Sequence, residues 1–281
     1  MSLRITQCCR VVVDNDWNGD PDGLVALAHH LLSAANRVVA VTSSHLSPRF
    51  GPPEGTAAAG ARRAQELVEL VGTQRPVVAA GCDVPIGGGD TSSAAADAIV
   101  AEARRDDPLP LFLVCAGPLT NVAQALRQAP DIAARLTLVW VGGALEADAF
   151  EYNRDTDAEA AREVLARDDL AISQFPLETY RRCTYSVAEL EQDVGGAGRL
   201  GAWLWQQYVE LPVPDFVEQG ETWPLGDSPP VLVTALDDVA CTWTESPDQP
   251  GRRVCTDVDL RLLVADLLAR LRLHERRSRE A

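Results

Sequence analysis

Four aspartates, Asp14, Asp16, Asp20 and Asp22, crowd into one short segment, Val11-Val12-Val13-Asp14-Asn15-Asp16-Trp17-Asn18-Gly19-Asp20-Pro21-Asp22-Gly23. Asp14 and Asp16 lie two apart in what reads as extended chain, so they share a side, and the Asn18-Gly19 turn can fold Asp20 and Asp22 back towards them. Carboxylates packed this closely in a partly buried site repel one another unless protons or a cation offset the charge. A hard divalent cation does so with oxygen ligands, and with no Cys or His in the segment calcium or magnesium fits better than zinc. The same residues also have structural uses. Asp20 before Pro21 reads as a helix N-cap with proline at the first helical position, and Asp14 can simply solvate a strand end.

The elements that must hold these aspartates are legible as short apolar runs alternating with helical patterns. Strands are expected at Val11 to Val13, Val38 to Thr42, Val77 to Ala80, Leu111 to Cys115 and Leu136 to Val141. Their continuous hydrophobicity implies burial on both faces, as in a parallel sheet covered by helices. Crossover helices are expected at Asp22 to Ser33, Thr56 to Val71, Ser92 to Arg105, Leu119 to Gln128 and Ala158 to Arg167. This order predicts an α/β fold, doubly wound, with a mostly parallel central sheet flanked by helices. Ligands of such sheets bind beyond the carboxyl ends of the strands, where the aspartates fall. After about residue 175 the pattern loosens, then resumes in a strand near Arg253 to Val258 and an amphipathic helix from Asp259 to Leu273. One domain over residues 1–273 is expected, with 274–281 a charged, frayed C-terminal tail and Gly87 to Ser93 a loop.

Composition narrows the chemistry. A net charge of -16 opposes binding to a polynucleotide backbone. All 25 basic residues are arginine, so Schiff-base catalysis and a P-loop are excluded for want of a lysine. The seven cysteines are scattered without a CxxC pair, the first ten residues lack the apolar run of a signal peptide, and no stretch is long and apolar enough to span a membrane. A cytoplasmic protein with reduced thiols is expected.

The strand-DxD-turn-Asp-helix segment resembles the N-terminal motif of the inosine-uridine preferring nucleoside hydrolase family. Further family landmarks follow in family order: Ala79-Ala80-Gly81 with Pro85, then Ala116-Gly117-Pro118-Leu119-Thr120-Asn121. Next come Gly142-Gly143 with Glu151-Tyr152-Asn153, Asp157-Ala158-Glu159-Ala160-Ala161, and Gly226-Asp227-Ser228-Pro229. The resemblance implies calcium-dependent hydrolysis of the N-glycosidic bond of ribonucleosides. It implies Ca2+ ligands in the carboxylates of Asp16, Asp22 and Asp227 and the main-chain carbonyl of Ala116, with Asp16 also the base for the attacking water. It places Asp14 behind that site, and Asp20, Glu151 and Asn153 on the ribose hydroxyls. It further implies a small-molecule nucleoside substrate and a homodimer or homotetramer.

The sequence departs from the family in one respect. Many members carry a His just before the last calcium-binding Asp, where this chain has Gly226, so leaving-group activation lacks its usual residue. His45 is the one histidine placed near a strand end, while Trp17 and Trp223 are candidates to stack the base. Alternatives are hydrolysis of another N-riboside and a nucleoside- or ribose-binding homologue without turnover. A haloacid-dehalogenase-like phosphatase also opens with DxD, but Asn18 and the missing lysine oppose it.

Overall fold

The computed structural model describes residues 4–50, 54–88, 92–146, 148–213, 220–247 and 249–280. Strands β1 (Cys9–Asn15), β2 (Asn36–Ser43), β3 (Val77–Ala80), β4 (Leu111–Cys115), β5 (Thr137–Val141) and β6 (Ala171–Phe175) pair in parallel. Helices α1 (Asp22–Leu32), α2 (Thr56–Val71), α3 (Ala94–Arg104), α4 (Thr120–Gln128), α5 (Tyr152–Thr156) and α6 (Ala158–Leu165) connect them. Beyond β6 come α7 (Leu177–Tyr180), β7 (Thr184–Ser186), α8 (Val187–Glu189), α9 (Arg199–Val209), β8 (Thr222–Pro224), α10 (Pro230–Thr234), β9 (Cys241–Glu245), β10 (Arg252–Val258) and α11 (Leu260–Glu280).

The main sheet runs β3-β2-β1-β4-β5-β6-β10-β9, with β10 parallel to β6 and β9 antiparallel at the edge. Side-chain alternation divides the core between two faces. Val11 and Val13 of β1 point into a cluster with α1, α2 and α9 to α11, whereas Val12 joins α3, α4 and α6 on the other side. Because the chain steps from β1 to β2 on one side and returns through β4 on the other, the carboxyl ends of β1 and β4 form the crevice of an open doubly wound sheet.

The expected doubly wound architecture is present, and β3, β4 and α2 have the expected bounds. β6 had no apolar signature because Ser173 and Gln174 interrupt it. The expected helix at the C-terminus starts at Leu260 rather than Asp259 and runs on through the charged segment to Glu280, so the tail is helical where fraying was expected. Part of the Gly87 to Ser93 loop, residues 89–91, lies outside the described residues. No disulfide joins the seven cysteines, and no described helix is long and apolar enough to cross a membrane.

At the opposite end of the sheet the second residue of β1 is Arg10, whose guanidinium is buried. It donates to the carbonyls of Leu109 (3.3 Å) and Glu102 (2.7 Å) and lies 3.6 Å from the buried Glu102 carboxylate. Removing one partner of a buried pair leaves an uncompensated charge. Glu102→Ala is therefore expected to lower unfolding free energy by about 3 kcal/mol in chemical denaturation; an unchanged midpoint would show that the two carbonyls and Asp107, whose Oδ1 lies 3.8 Å from Arg10 Nε, satisfy the guanidinium.

Candidate active site

The carboxyl end of β1 delivers its residues to alternating environments. Asp14 is fully buried and accepts hydrogen bonds from Thr42 Oγ1 (2.6 Å) and Asn121 Nδ2 (2.7 Å), which tie β1 to β2 and to α4. Burial pushes its carboxyl up to about 6, against the pull of these donors. The next carboxylate on that side is Asp16, also buried, where Tyr152 Oη donates to Oδ2 at 3.0 Å. Burial first, and then the charge of Asp227, raise its pKa well above the ordinary carboxylate range.

Between them Asn15 reaches the other way, and its Nδ2 donates to Asp227 Oδ2 at 2.8 Å, joining two segments far apart in sequence. The Asp16 carbonyl accepts from Gly19 N (2.8 Å), closing the turn that brings the chain into α1. Asp20 Oδ1 then accepts the Asp22 N–H at 3.3 Å, the bond an N-cap makes, while Trp223 Nε1 donates to both Asp20 oxygens at 2.7 and 2.9 Å. Asp22 is buried in the first turn of α1, and its Oδ2 accepts from Asp227 N at 3.1 Å. Burial, then the charges of Asp227 and Asp20, hold Asp22 well above its usual pKa, and burial brings Asp227 to about 7.

The fold thus gathers Asp16, Asp20, Asp22 and Asp227 around one crevice, with Asp14 behind it. Ala116 follows β4, and its carbonyl accepts from Asn153 Nδ2 at 3.3 Å. Asn153 also donates to the Val141 carbonyl (2.9 Å), so its Oδ1 is the atom left to meet a ligand. Among the described residues no three acidic, His or Cys side chains converge into a ready-made metal cage. None of the six carboxylates here, Asp14, Asp16, Asp20, Asp22, Glu151 and Asp227, has an ion-pair partner among the described residues.

Three of the expected site residues make their hydrogen bonds within the protein. Glu151, expected on the ribose, is fully buried and caps α5: its oxygens accept from Gly143 N (2.6 Å), Arg154 N (2.8 Å), Asn153 N (3.2 Å) and Tyr180 Oη (2.8 Å). A carboxylate has about four acceptor positions, so Glu151 is committed within the protein. Trp17, expected to stack a base, lies in the core, 1% exposed, with Nε1 donating to the Thr42 carbonyl at 2.8 Å. His45 is buried with Nδ1 3.1 Å from the Leu46 carbonyl and Nε2 3.1 Å from Thr120 Oγ1, so neither nitrogen is free. Trp223 alone of the three aromatic candidates borders the crevice, half-buried against Tyr208 at 5.5 Å in an edge-to-face contact.

Asn15, Tyr152, Tyr180 and Tyr208 are additional. Asn15 and Tyr152 sit inside motifs quoted for their neighbours, whereas Tyr180 and Tyr208 carry no signal in their own sequence surroundings. The Tyr208 hydroxyl is buried without a partner among the described residues, within range of the charges of Asp22, Asp20 and Asp227.

A doubly wound α/β protein with an acidic crevice at its switch point is the class that fold and site define. The chain matches the model of the inosine-uridine preferring nucleoside hydrolases over residues 11–262, and it belongs to that family. It is 30% identical over 99 residues to the pyrimidine-specific ribonucleoside hydrolase RihA of Salmonella arizonae, a match covering 34% of this chain and 32% of that one, about a third of the relative's length. In fold it is similar to a plant nucleoside hydrolase, PpNRh1 (TM-score 0.72, 18% identity, 94% of this chain and 99% of that one). The purine-preferring ribonucleoside hydrolase of Gardnerella vaginalis is comparable (TM-score 0.71, 20% identity, 95% and 99%).

Trp17→Phe tests the placement of that indole. Losing a buried hydrogen bond and part of a packed ring is expected to cost about 1–3 kcal/mol of stability in chemical denaturation and to leave substrate KM unaltered. A raised KM at unchanged stability would return Trp17 to the ligand.

Proposed function

We propose that this chain hydrolyses the N-glycosidic bond of ribonucleosides with the help of calcium, releasing ribose and a free base. The observation that carries the reading is that Asp16, Asp22 and Asp227 border one crevice without an ion-pair partner among the described residues. Oxygen-only donors of this charge suit a hard divalent cation, so the residues fit calcium by the chemistry of their donor set. Asp16, Asp22, Asp227 and the Ala116 carbonyl would hold it. When bound, calcium supplies orientation of the ribose 2′ and 3′ hydroxyls and makes water a better nucleophile.

The chain's own residues account for the rest of the sugar half. Asp16 takes the proton of the attacking water, and the Tyr152 hydroxyl fixes which of its oxygens is turned inward. Asp20 and Asn153 Oδ1 accept from ribose hydroxyls, while Glu151 acts one step back by fixing the Asn153 backbone and Tyr180. The surrounding carboxylates stabilise the positive charge that develops at C1′ as the bond to nitrogen breaks. The same reading includes a homodimer or homotetramer in the cytoplasm, to be measured by sedimentation and fractionation.

Asp16→Ala is expected to reduce kcat by about 10²-fold or more on a nucleoside panel, and chelation to abolish turnover until calcium is restored. Unchanged turnover in both experiments sinks the assignment. Gly226, in place of the family's usual histidine, favours one second reading, a nucleoside-binding protein without turnover. Calcium-dependent binding in calorimetry with no ribose released would establish that reading instead.

A further inference from the structure

A nucleobase departing as an anion needs a proton, and a positioned general acid contributes about 10²–10⁴ in rate. Among the described residues the walls of this crevice offer no such group. A Cβ on Gly226 would lie 3.0 Å from Tyr180 Cδ2 and 3.6 Å from Asp22 Oδ2, so the Tyr180 ring crowds the place where a side chain at 226 would begin. The Tyr180 hydroxyl is committed to Glu151, and the Tyr152 hydroxyl to Asp16.

No histidine substitutes. His45 is bonded at both nitrogens, His29 and His30 are buried in α1 against Asp266 and Asn36, and His274 lies near the end of α11. The Tyr208 hydroxyl is uncommitted among the described residues, but burial, and then the charges of Asp22, Asp20 and Asp227, hold its proton well above the ordinary phenol range, so it offers a hydrogen bond rather than a proton at neutral pH. What the crevice does offer is negative charge and aromatic surface. Around it Asp16, Asp20, Asp22 and Asp227 have no ion-pair partner among the described residues, and their four formal charges exceed the two of one divalent ion. Beside them Trp223, whose Nε1 donates to Asp20, packs edge-to-face with Tyr208, and aromatic rings of this kind bind cations.

Resting on the hydrolase reading above, we infer that the preferred substrate is an N-riboside whose leaving group is a cationic heteroaromatic ring, an N-ribosylpyridinium. Such a group departs without protonation. The C1′–N electron pair passes to the ring nitrogen, giving a neutral pyridine. The oxygen of water bonds to C1′, its proton passes to Asp16, and ribose is the second product. The acidic crevice favours the cationic substrate over the neutral product, and a leaving group of this kind needs no acid at position 226, where the Tyr180 ring leaves little room for one.

The test uses the full chain with calcium chloride, and N-ribosylnicotinamide, inosine and uridine as probes. The expected kcat/KM on N-ribosylnicotinamide exceeds that on either neutral nucleoside by about a hundredfold or more, the rate a general acid supplies. Across a series of ribosylpyridiniums it falls steeply as the departing pyridine becomes more basic. Inosine or uridine turned over as well as the cationic probe overturns this preference and leaves the hydrolase reading standing. So does a flat dependence on the leaving group. Folded, calcium-loaded protein that releases ribose from none of the three defeats the hydrolase reading itself.

Discussion

The mutual repulsion of buried carboxylates is the constraint on which this structure turns. Burial raises the proton affinity of Asp16, Asp22 and Asp227, and neighbouring carboxylates raise it further: the charge of Asp227 acts on Asp16 and Asp22, and that of Asp20 on all three. The protein does not relieve this with arginine, although it has 25 basic residues to draw on. It uses neutral donors instead: the amides of Asn15 and Asn121, the hydroxyls of Thr42 and Tyr152, and the backbone N–H of Asp227. Each fixes a carboxylate in place without cancelling its charge. The result is an oriented negative field, kept for whatever positive species enters.

That choice explains the surrounding scaffold. Neutral donors work only at hydrogen-bond distance, so the segments that supply them must be rigid, and they come from the ends of packed elements. Thr42 is on β2 and Asn121 on α4, each next to the strand that presents Asp14. Glu151 shows the same economy: fully saturated by backbone amides and one tyrosine, it shapes the crevice without entering it.

The sheet was legible in the sequence because parallel strands buried on both faces must be apolar throughout, which β3 and β4 are along their whole length. β6 was not, since Ser173 and Gln174 take part in hydrogen bonding with Arg253 and Arg252 of β10 and so need no apolar signature. The aspartate segment was legible because its residues are close in sequence. Asp227 was reached only through family resemblance, and Tyr180 and Tyr208 not at all, because their position depends on tertiary packing and no local pattern marks them. The burial of Trp17 was not legible for a physical reason: a tryptophan inside an acidic loop carries no local sign that its ring turns into the core.

One linkage reaches from the end of the chain to its beginning. Asp266 on α11 lies 2.8 Å from His29 Nε2, and Arg270 on the same helix donates to the Leu32 carbonyl at 3.0 Å, closing the last turn of α1. The helix whose first turn presents Asp22 is therefore clasped by α11. During synthesis α1 emerges well before α11 and keeps an uncovered apolar flank until α11 is made, since Leu263, Leu267 and Leu271 join the same core cluster as Leu24, Leu27 and Leu31. Maturation of the crevice is in this way timed to the arrival of a helix about 230 residues downstream, and the same delay leaves apolar surface open to aggregation.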